Sequence, residues 1–316
     1  MRIYLLFVVF RYKIGFTNEK RSVDTTAGAD LSFVHLGITI QNMVKSFSIG
    51  GFSIAFYGVI IGIGMVCGIL VAQSDAKRRG QDPEMYLDFA IYGMLFAILG
   101  ARIYYVVFQW GYYKDHLTEI INLRKGGLAI YGGIIAAVIT LFVFAKKRKM
   151  SFVSMGDTAV LGLVTGQIIG RWGNFFNCEA FGGYTDSFLA MRIKRSIVSE
   201  SMISQELLDN LIIENGIEYI QVHPTFLYES MWNIGVLFFL LWYRKRKKFD
   251  GEMMLLYFAG YGIGRAWIEG LRTDSLLIPG TGLAVSQMLS IAMVIVSVSV
   301  LLFFHKKKQG ERKGNQ

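Results

Sequence analysis

The chain has 316 residues, 53% of them hydrophobic, only three prolines, two cysteines and a formal net charge of +10. Two cysteines exclude a disulfide framework and a cysteine-based zinc site. The charge sits in short clusters between long apolar blocks, so it is a topology signal, and nucleic-acid binding is excluded as the function it serves.

Taken in chain order, "MRIYLLFVVF" at 1–10 is apolar but too short to span a bilayer, and no small-residue cleavage site follows it. "TNEKRSVDTTAGAD" reads as loop. The first thirty or so residues are therefore expected to be a dispensable extension, and "FVHLGITIQNMVKSFSIGG" an ordered approach to the first span, the two together making up residues 1–50. Seven apolar stretches follow, near 52–72, 86–108, 127–145, 153–172, 225–243, 251–271 and 282–304. Each is long enough to cross roughly 30 Å of hydrocarbon as a helix, and none alternates as a barrel strand does. The expected fold is an all-α integral membrane protein with seven transmembrane helices over 51–304. An insertion at 184–222, carrying a helical stretch "VSESMISQELLDNLII", separates spans 4 and 5, and a basic tail occupies 305–316.

Basic clusters follow every second span: "AKRRG" at 76–80, "KKRK" at 146–149, "RKRKK" at 244–248 and "HKKKQGERK" at 305–313. The positive-inside rule then puts the C-terminus in the cytoplasm, the N-terminus outside, and the 184–222 insertion outside. With that orientation the polar residues of the spans converge on the outer leaflet. Tyr57 and Tyr131 lie near the outer starts of spans 1 and 3, and Arg102 near the outer end of span 2. Arg171 ends span 4 in "GRWGNFFNCEAFG", ahead of Asn174, Asn177 and Glu179. His223 and Glu229 bracket the start of span 5. Tyr261, Arg265 and Glu269 are spaced i, i+4, i+8 on span 6, with Arg272 three residues later, so the four share one helix face.

Ionisable residues in a span face a protein interior or a wet cavity and point to function. For Arg102, snorkelling or a structural ion pair explains the residue equally well. An aromatic belt at the interface is the competing explanation for both tyrosines. Gly58, Gly62 and Gly64 read as close helix packing, and Cys67 as packing too. Cys178 stands within the span 4 motif. His35, His116 and His305 are read as uninvolved. No metal or nucleotide spacing is present, and no cofactor is expected. Intramembrane charges also mark transport paths, but a transporter places its site near the midplane and has repeated halves, and no repeat is visible here.

These motifs resemble those of the bacterial phosphatidylglycerol–prolipoprotein diacylglyceryl transferase family over roughly residues 33–304. "GRWGNFFNCEAFG" is similar to the family signature G-R-x-G-N-F-x-N-x-E, and "GARIYYVVF", "GGLAIYGG", "HPTFLYES" and "GRAWIEGLRTD" support it. The resemblance implies transfer of a diacylglyceryl group from phosphatidylglycerol to the lipobox cysteine of a preprolipoprotein, whose signal-peptide segment is the protein partner. It implies that Arg171 and Arg265, with Asn174 and Tyr57, hold the headgroup, and that Glu179 and Glu269 orient the arginines. Asn177, Tyr261, Arg272 and Arg102 support them. The nucleophile belongs to the substrate, and Cys178 stands at a variable position of the signature. At the position of Tyr131 the family frequently has histidine, the usual candidate for general base. A phenol of pKa about 10 is a weaker base at neutral pH. The base is thus left open between a Tyr131 phenolate, Glu179, His223 and none at all, and Tyr131 is expected to position the headgroup.

Overall fold

The computed structural model describes residues 38–43, 45–49, 52–123, 126–278 and 280–314. The expected extension over the first thirty residues lies outside the described residues. The approach segment forms strands β1 (Ile38–Ile40) and β2 (Ser46–Ile49); the first four residues expected in span 1 are instead strand β3 (Phe52–Ala55), after which α1 (Phe56–Arg78) begins. There follow α2 (Glu84–Phe108), a single turn α3 (Trp110–Tyr113), α4 (Ile130–Lys147) and α5 (Phe152–Asn177). The insertion contributes β4 (Met191–Lys194), α6 (Gln205–Asp209), β5 (Ile212–Glu214) and β6 (Ile217–Val222). The last helices are α7 (Thr225–Tyr243), α8 (Glu252–Glu269) and α9 (Val285–Gly314).

Six of these, α1, α2, α4, α5, α7 and α9, are long and apolar enough to cross a membrane. The stretch expected as the sixth span is the helix α8. Its 18 residues include three charged side chains, Glu252, Arg265 and Glu269, so length and composition alone do not set it with the six. The expected basic tail continues α9 as helix to Gly314.

By contacts the chain divides into two compact units. One takes in the described residues up to Gly62 together with Ile168–Trp232 and Gly262–Ala292; the other takes Ile63–Gln167, Asn233–Tyr261 and the chain from Met293.

The first unit contains the insertion, whose expected helical stretch at 198–213 is only partly α-helix. Only Gln205–Asp209 is α-helix, capped by Ser204, whose side chain accepts from the Leu207 amide. "IIENGIEYIQV" is a hairpin of β5 and β6. Its turn residues Asn215 and Gly216 have φ of 52° and 76°, the conformation that an Asn-Gly pair takes at a two-residue turn. β6 pairs antiparallel with β4, and β4 pairs parallel with β1, so the four-stranded sheet runs β1-β4-β6-β5 and recruits a strand from before the first helix. β4 alternates buried Met191 and Ile193 with part-exposed Arg192 and Lys194. The buried pair joins Ile40, Phe181, Leu207, Ile220, Val222 and Phe226 in a hydrophobic core. β2 and β3 form a separate hairpin that leads into α1.

In the second unit α1 and α5 touch backbone to backbone. A Cβ on Gly68 would lie 2.6 Å from the Gly162 carbonyl oxygen, and one on Gly162 2.5 Å from that of Gly68. Small residues allow this approach. The packing role expected of Gly58 and Gly62 is not what they do: a Cβ at either meets nothing within 4 Å among the described residues. Further along α1, Gly64 and Gly68 make the contact instead. Gly64 is buried, and a Cβ on Gly166 would stand 3.5 Å from its carbonyl oxygen. Cys67 is half-buried.

Candidate functional site

The polar signature at the end of α5 sits in the first unit, and the helix side chains around it explain how it is held. Trp172 Nε1 donates to Ser230 Oγ at 3.3 Å, and Ser230 Oγ donates to the Ile168 carbonyl at 3.1 Å. Trp172 also meets Phe226 edge-on. These contacts fix α5 against the first turns of α7, and their neighbours in sequence are Arg171 and Glu229. Arg171 pairs with Glu229 Oε2 at 2.6 Å. From α8, Arg265 Nη1 donates to Glu229 Oε1 at 2.7 Å. Both guanidiniums therefore meet one carboxylate, whose residue is only 4% exposed. Arg265 also pairs with Glu269, one turn on along α8. Glu269 Oε1 accepts from Ser275 Oγ at 2.8 Å and from Ser286 Oγ in the first turn of α9.

The structure differs from one expectation. Glu269 pairs with Arg265, but the carboxylate shared by both arginines is Glu229. Glu179 is engaged elsewhere: its Oε1 accepts from Asn174 Nδ2 at 3.1 Å and Asn177 Nδ2 at 3.2 Å. The last turn of α5 thus closes on itself. Cys178 and Ala180, at φ of 53° and 55°, turn the chain back, and Glu179 N donates to the Asn174 carbonyl. Cys178 is buried in the sheet's hydrophobic core, and that burial pushes its thiol above the ordinary pKa, the opposite of what a nucleophile needs.

Tyr57, in the first turn of α1, packs against the signature. A Cβ on Gly173 would be 2.8 Å from its ring. Gly264, just before Arg265, leaves even less room, since a Cβ there would stand 2.2 Å from Trp232 Cδ1. The glycines of "GRWGN" and "GRAWIEG" are thus contact surfaces that set where the adjoining arginines emerge. His223 backbone atoms exchange hydrogen bonds with Gly182 and Gly183, and its Nδ1 lies 3.3 Å from Tyr228 Oη. Burial lowers its pKa, which keeps the imidazole neutral near pH 7. Arg272 is spent on Asp274, with Nε to Oδ1 at 2.9 Å and Nη2 to Oδ2 at 2.8 Å. Burial acts to raise the Asp274 carboxyl, but the Arg272 fork outweighs it and holds the group below the usual carboxylate range.

The second unit holds the remaining candidates. Arg102 is buried, so it does not snorkel, and among the described residues it meets no carboxylate. It donates to the backbone carbonyls of Glu119, Ile120, Asn122, Gly126 and Gly127, and stacks 5.2 Å from the Tyr113 ring centre. It organises the segment that leads into α4, where Tyr131 is the second residue and half-buried. Tyr261 stacks on Tyr257, with ring centres 5.7 Å apart. Among the described residues no group of three or more His, Cys, Asp or Glu is placed to hold a metal.

Glu229 was legible only as a polar residue near the start of span 5. A carboxylate inside "HPTFLYESMW" is itself a signal, because a buried charge needs a partner. Asp274, Ser275 and Ser286 carried no such signal.

The chain matches the family model described as prolipoprotein diacylglyceryl transferase over residues 45–303. It is 42% identical over 263 residues to the phosphatidylglycerol–prolipoprotein diacylglyceryl transferase of Geobacillus kaustophilus, covering 83% of this chain and 93% of that protein. It is similar to the proteins of the same name from Clostridioides difficile, at 38% over 264 residues (84% and 96%), and Bacillus mycoides, at 40% over 266 residues (84% and 93%). With its membrane-length helices and the matched signature, the chain belongs to the prolipoprotein diacylglyceryl transferase family, bacterial membrane transferases that catalyse the first step of lipoprotein maturation.

Proposed function

We propose that this chain transfers the sn-1,2-diacylglyceryl group of phosphatidylglycerol to the lipobox cysteine sulfur of a preprolipoprotein. The thiolate attacks the glyceryl carbon that bears the phosphate ester, a C–S bond forms, and the C–O bond breaks with its electron pair on the departing glycerol phosphate. The thiol proton leaves to a base or to water. The observation that supports this reading is the convergence of Arg171 and Arg265 on Glu229. A guanidinium stays charged and matches phosphate oxygens in two contacts, so a pair of them stabilises the charge that grows on the leaving phosphate. Glu229 holds the two forks in place before lipid arrives and limits how tightly phosphate is held afterwards. Asn174 and Tyr57 complete the headgroup contacts, with Glu179 and Asn177 fixing Asn174. His223, neutral and part-buried, is suited to take the thiol proton. Arg272, Arg102 and Tyr261 are supporting residues.

We assign α8 as a seventh span, with the N-terminus outside and the basic loops in the cytoplasm. Its three charged groups then lie towards the ends of the helix, where charge is tolerated in a crossing segment. Residues 51–304 form the catalytic domain in this assignment.

The test is transfer to a lipobox peptide by purified protein in phosphatidylglycerol micelles. Arg171→Ala is expected to lose about a hundredfold in rate, from loss of roughly 3 kcal/mol of transition-state stabilisation. A well-folded wild type that forms no thioether would overturn the reaction, and full activity in Arg171→Ala would make that residue structural. In the same assay Tyr131→Phe is expected to keep measurable activity, as a positioning residue should. Complete loss, restored by Tyr131→His with a shifted pH optimum, would make Tyr131 the base.

A further inference from the structure

The second unit contains a polar cavity that the transfer reaction leaves without a role. It measures about 180 Å³ and is lined by Asp75, Arg78, Arg79, Arg244, Lys247 and Met253. That is many times the space one water needs. Arg78 is the last residue of α1, and Arg244 follows the last residue of α7.

Two of the four cations are fully committed. Lys247 Nζ reaches Asp157 at 2.8 Å and Asp250 at 2.6 Å. Arg79 donates to the Ser154 carbonyl and hydroxyl and to Thr158 Oγ1, with Asp250 a further 3.7 Å contact. Arg78 and Arg244 are left to share Asp75, and they meet it at a single oxygen. Oδ1 accepts from Arg78 Nε at 2.9 Å and from Arg244 Nη1 at 3.1 Å. The other oxygen meets Thr158 Oγ1 at the longer distance of 3.5 Å. Arg244 Nε is buried with no acceptor among the described residues. Two guanidiniums around one cavity match the several oxygens of a phosphate better than they match one carboxylate oxygen. The cavity also lies where the membrane-length helices α1 and α7 end, and basic pockets between such helix ends take anionic headgroups.

We infer that the cavity between Asp75, Arg78 and Arg244 binds a phosphate group, carried by an anionic lipid headgroup or as the free ion, and that it shares no residue with the Arg171–Glu229–Arg265 cluster. The bound oxygens accept from the Nη groups of Arg78 and Arg244, and Asp75 sets the spacing of the two guanidiniums.

The test needs no mutation in its first form. Full-length wild type is treated with phenylglyoxal in detergent micelles, and arginine modification is read by peptide mass spectrometry. Phosphatidylserine is the lipid probe, because its headgroup differs from that of the proposed acyl-glyceryl donor. Relative to phosphatidylcholine micelles, phosphatidylserine is expected to slow modification of Arg244 at least fivefold and leave exposed Arg246 unchanged. If inorganic phosphate protects equally, against chloride at matched ionic strength, the free ion is a ligand. If only the lipid protects, the ligand is the headgroup. Absence of protection by both probes, or equal protection at Arg246, would overturn the inference. In a second measurement, Arg244→Gln is expected to retain at least tenfold less phosphatidylserine in native mass spectrometry, while Arg171→Ala retains it as wild type does. Loss in Arg171→Ala alone would move the lipid to the other cluster and defeat the assignment.

Discussion

Glu229 is the residue on which the candidate site turns. It is buried, and it faces Arg171 and Arg265 at 2.6 and 2.7 Å. Replacing it with glutamine leaves Arg171 without its counter-charge and Arg265 with Glu269 alone, so phosphate is held more tightly in the ground state and in the product. The expected kinetic result is a lower kcat, by at least tenfold, together with a lower KM for phosphatidylglycerol, the pattern of an enzyme that binds its ground state too well. A raised KM with unchanged kcat would instead make Glu229 a simple contact to substrate. The same reasoning does not extend to Arg272, whose fork already belongs to Asp274. Because the Asp274 carboxyl titrates below its ordinary range when folded, its contribution to stability is complete above the unfolded value of about 3.9 and is lost as pH falls through the folded value. Thermal unfolding of wild type and Asp274→Asn is therefore expected to differ by a constant Tm gap above about pH 5 that closes on acidification. A gap that persists unchanged through strong acidification would show that the pair does not depend on ionised Asp274.

At the scale of elements, the glycine before Arg265 decides how close α8 comes to α7. A methyl group on Gly264 would sit 2.2 Å from the Trp232 ring. Gly264→Ala is thus expected to destabilise by about 1–3 kcal/mol, the usual range for overpacking, and to lower activity by displacing Arg265. Adding Trp232→Leu, which removes the ring, should recover part of the Tm. Failure of the double variant to recover any would place the fault elsewhere. The helices were legible because apolar runs of about 20 residues have few other uses, and their observed bounds differ from expectation mainly at the ends. α5 runs to Asn177, so the signature itself is helical where the run of apolar residues suggested the helix stops at 172. The small sheet was not legible. Its strands are three to six residues long, and β1 pairs with β4 across about 150 residues of intervening chain, a contact that no local pattern announces. The Asn-Gly turn at 215–216 was the one local signal, and the helix-forming run before it obscured it. The site divides in the same way. Arg171, Asn174, Asn177 and Glu179 are neighbours in sequence and were read together, whereas the Arg171–Glu229 pair joins two helices and depends on tertiary packing.

For the whole molecule, the division into two units, each drawn from separated stretches of chain, gives α9 a part in both. A chain ending at residue 283 lacks Ser286, which donates to Glu269, and Gln287, which donates to the Ala266 carbonyl. It also lacks everything that the second unit takes from Met293 onward. Such a truncation is expected to abolish cooperative unfolding throughout, measured by tryptophan fluorescence and limited proteolysis. A truncated protein that retained one protease-resistant unit would show that unit to be complete without the last helix.

The same arrangement sets a timetable during synthesis. Arg171 leaves the ribosome well before Glu229, Glu229 before Arg265, and the serine that steadies Glu269 last of all. At bacterial elongation rates the interval from the first to the last of these is on the order of ten seconds. Through that interval the nascent chain carries, in turn, a cation without its carboxylate and a carboxylate without its second cation. An insertion machinery that shelters charged side chains until their partners arrive suits this architecture, and the Arg171–Glu229–Arg265 cluster is not whole until Ser286 of α9 has been made.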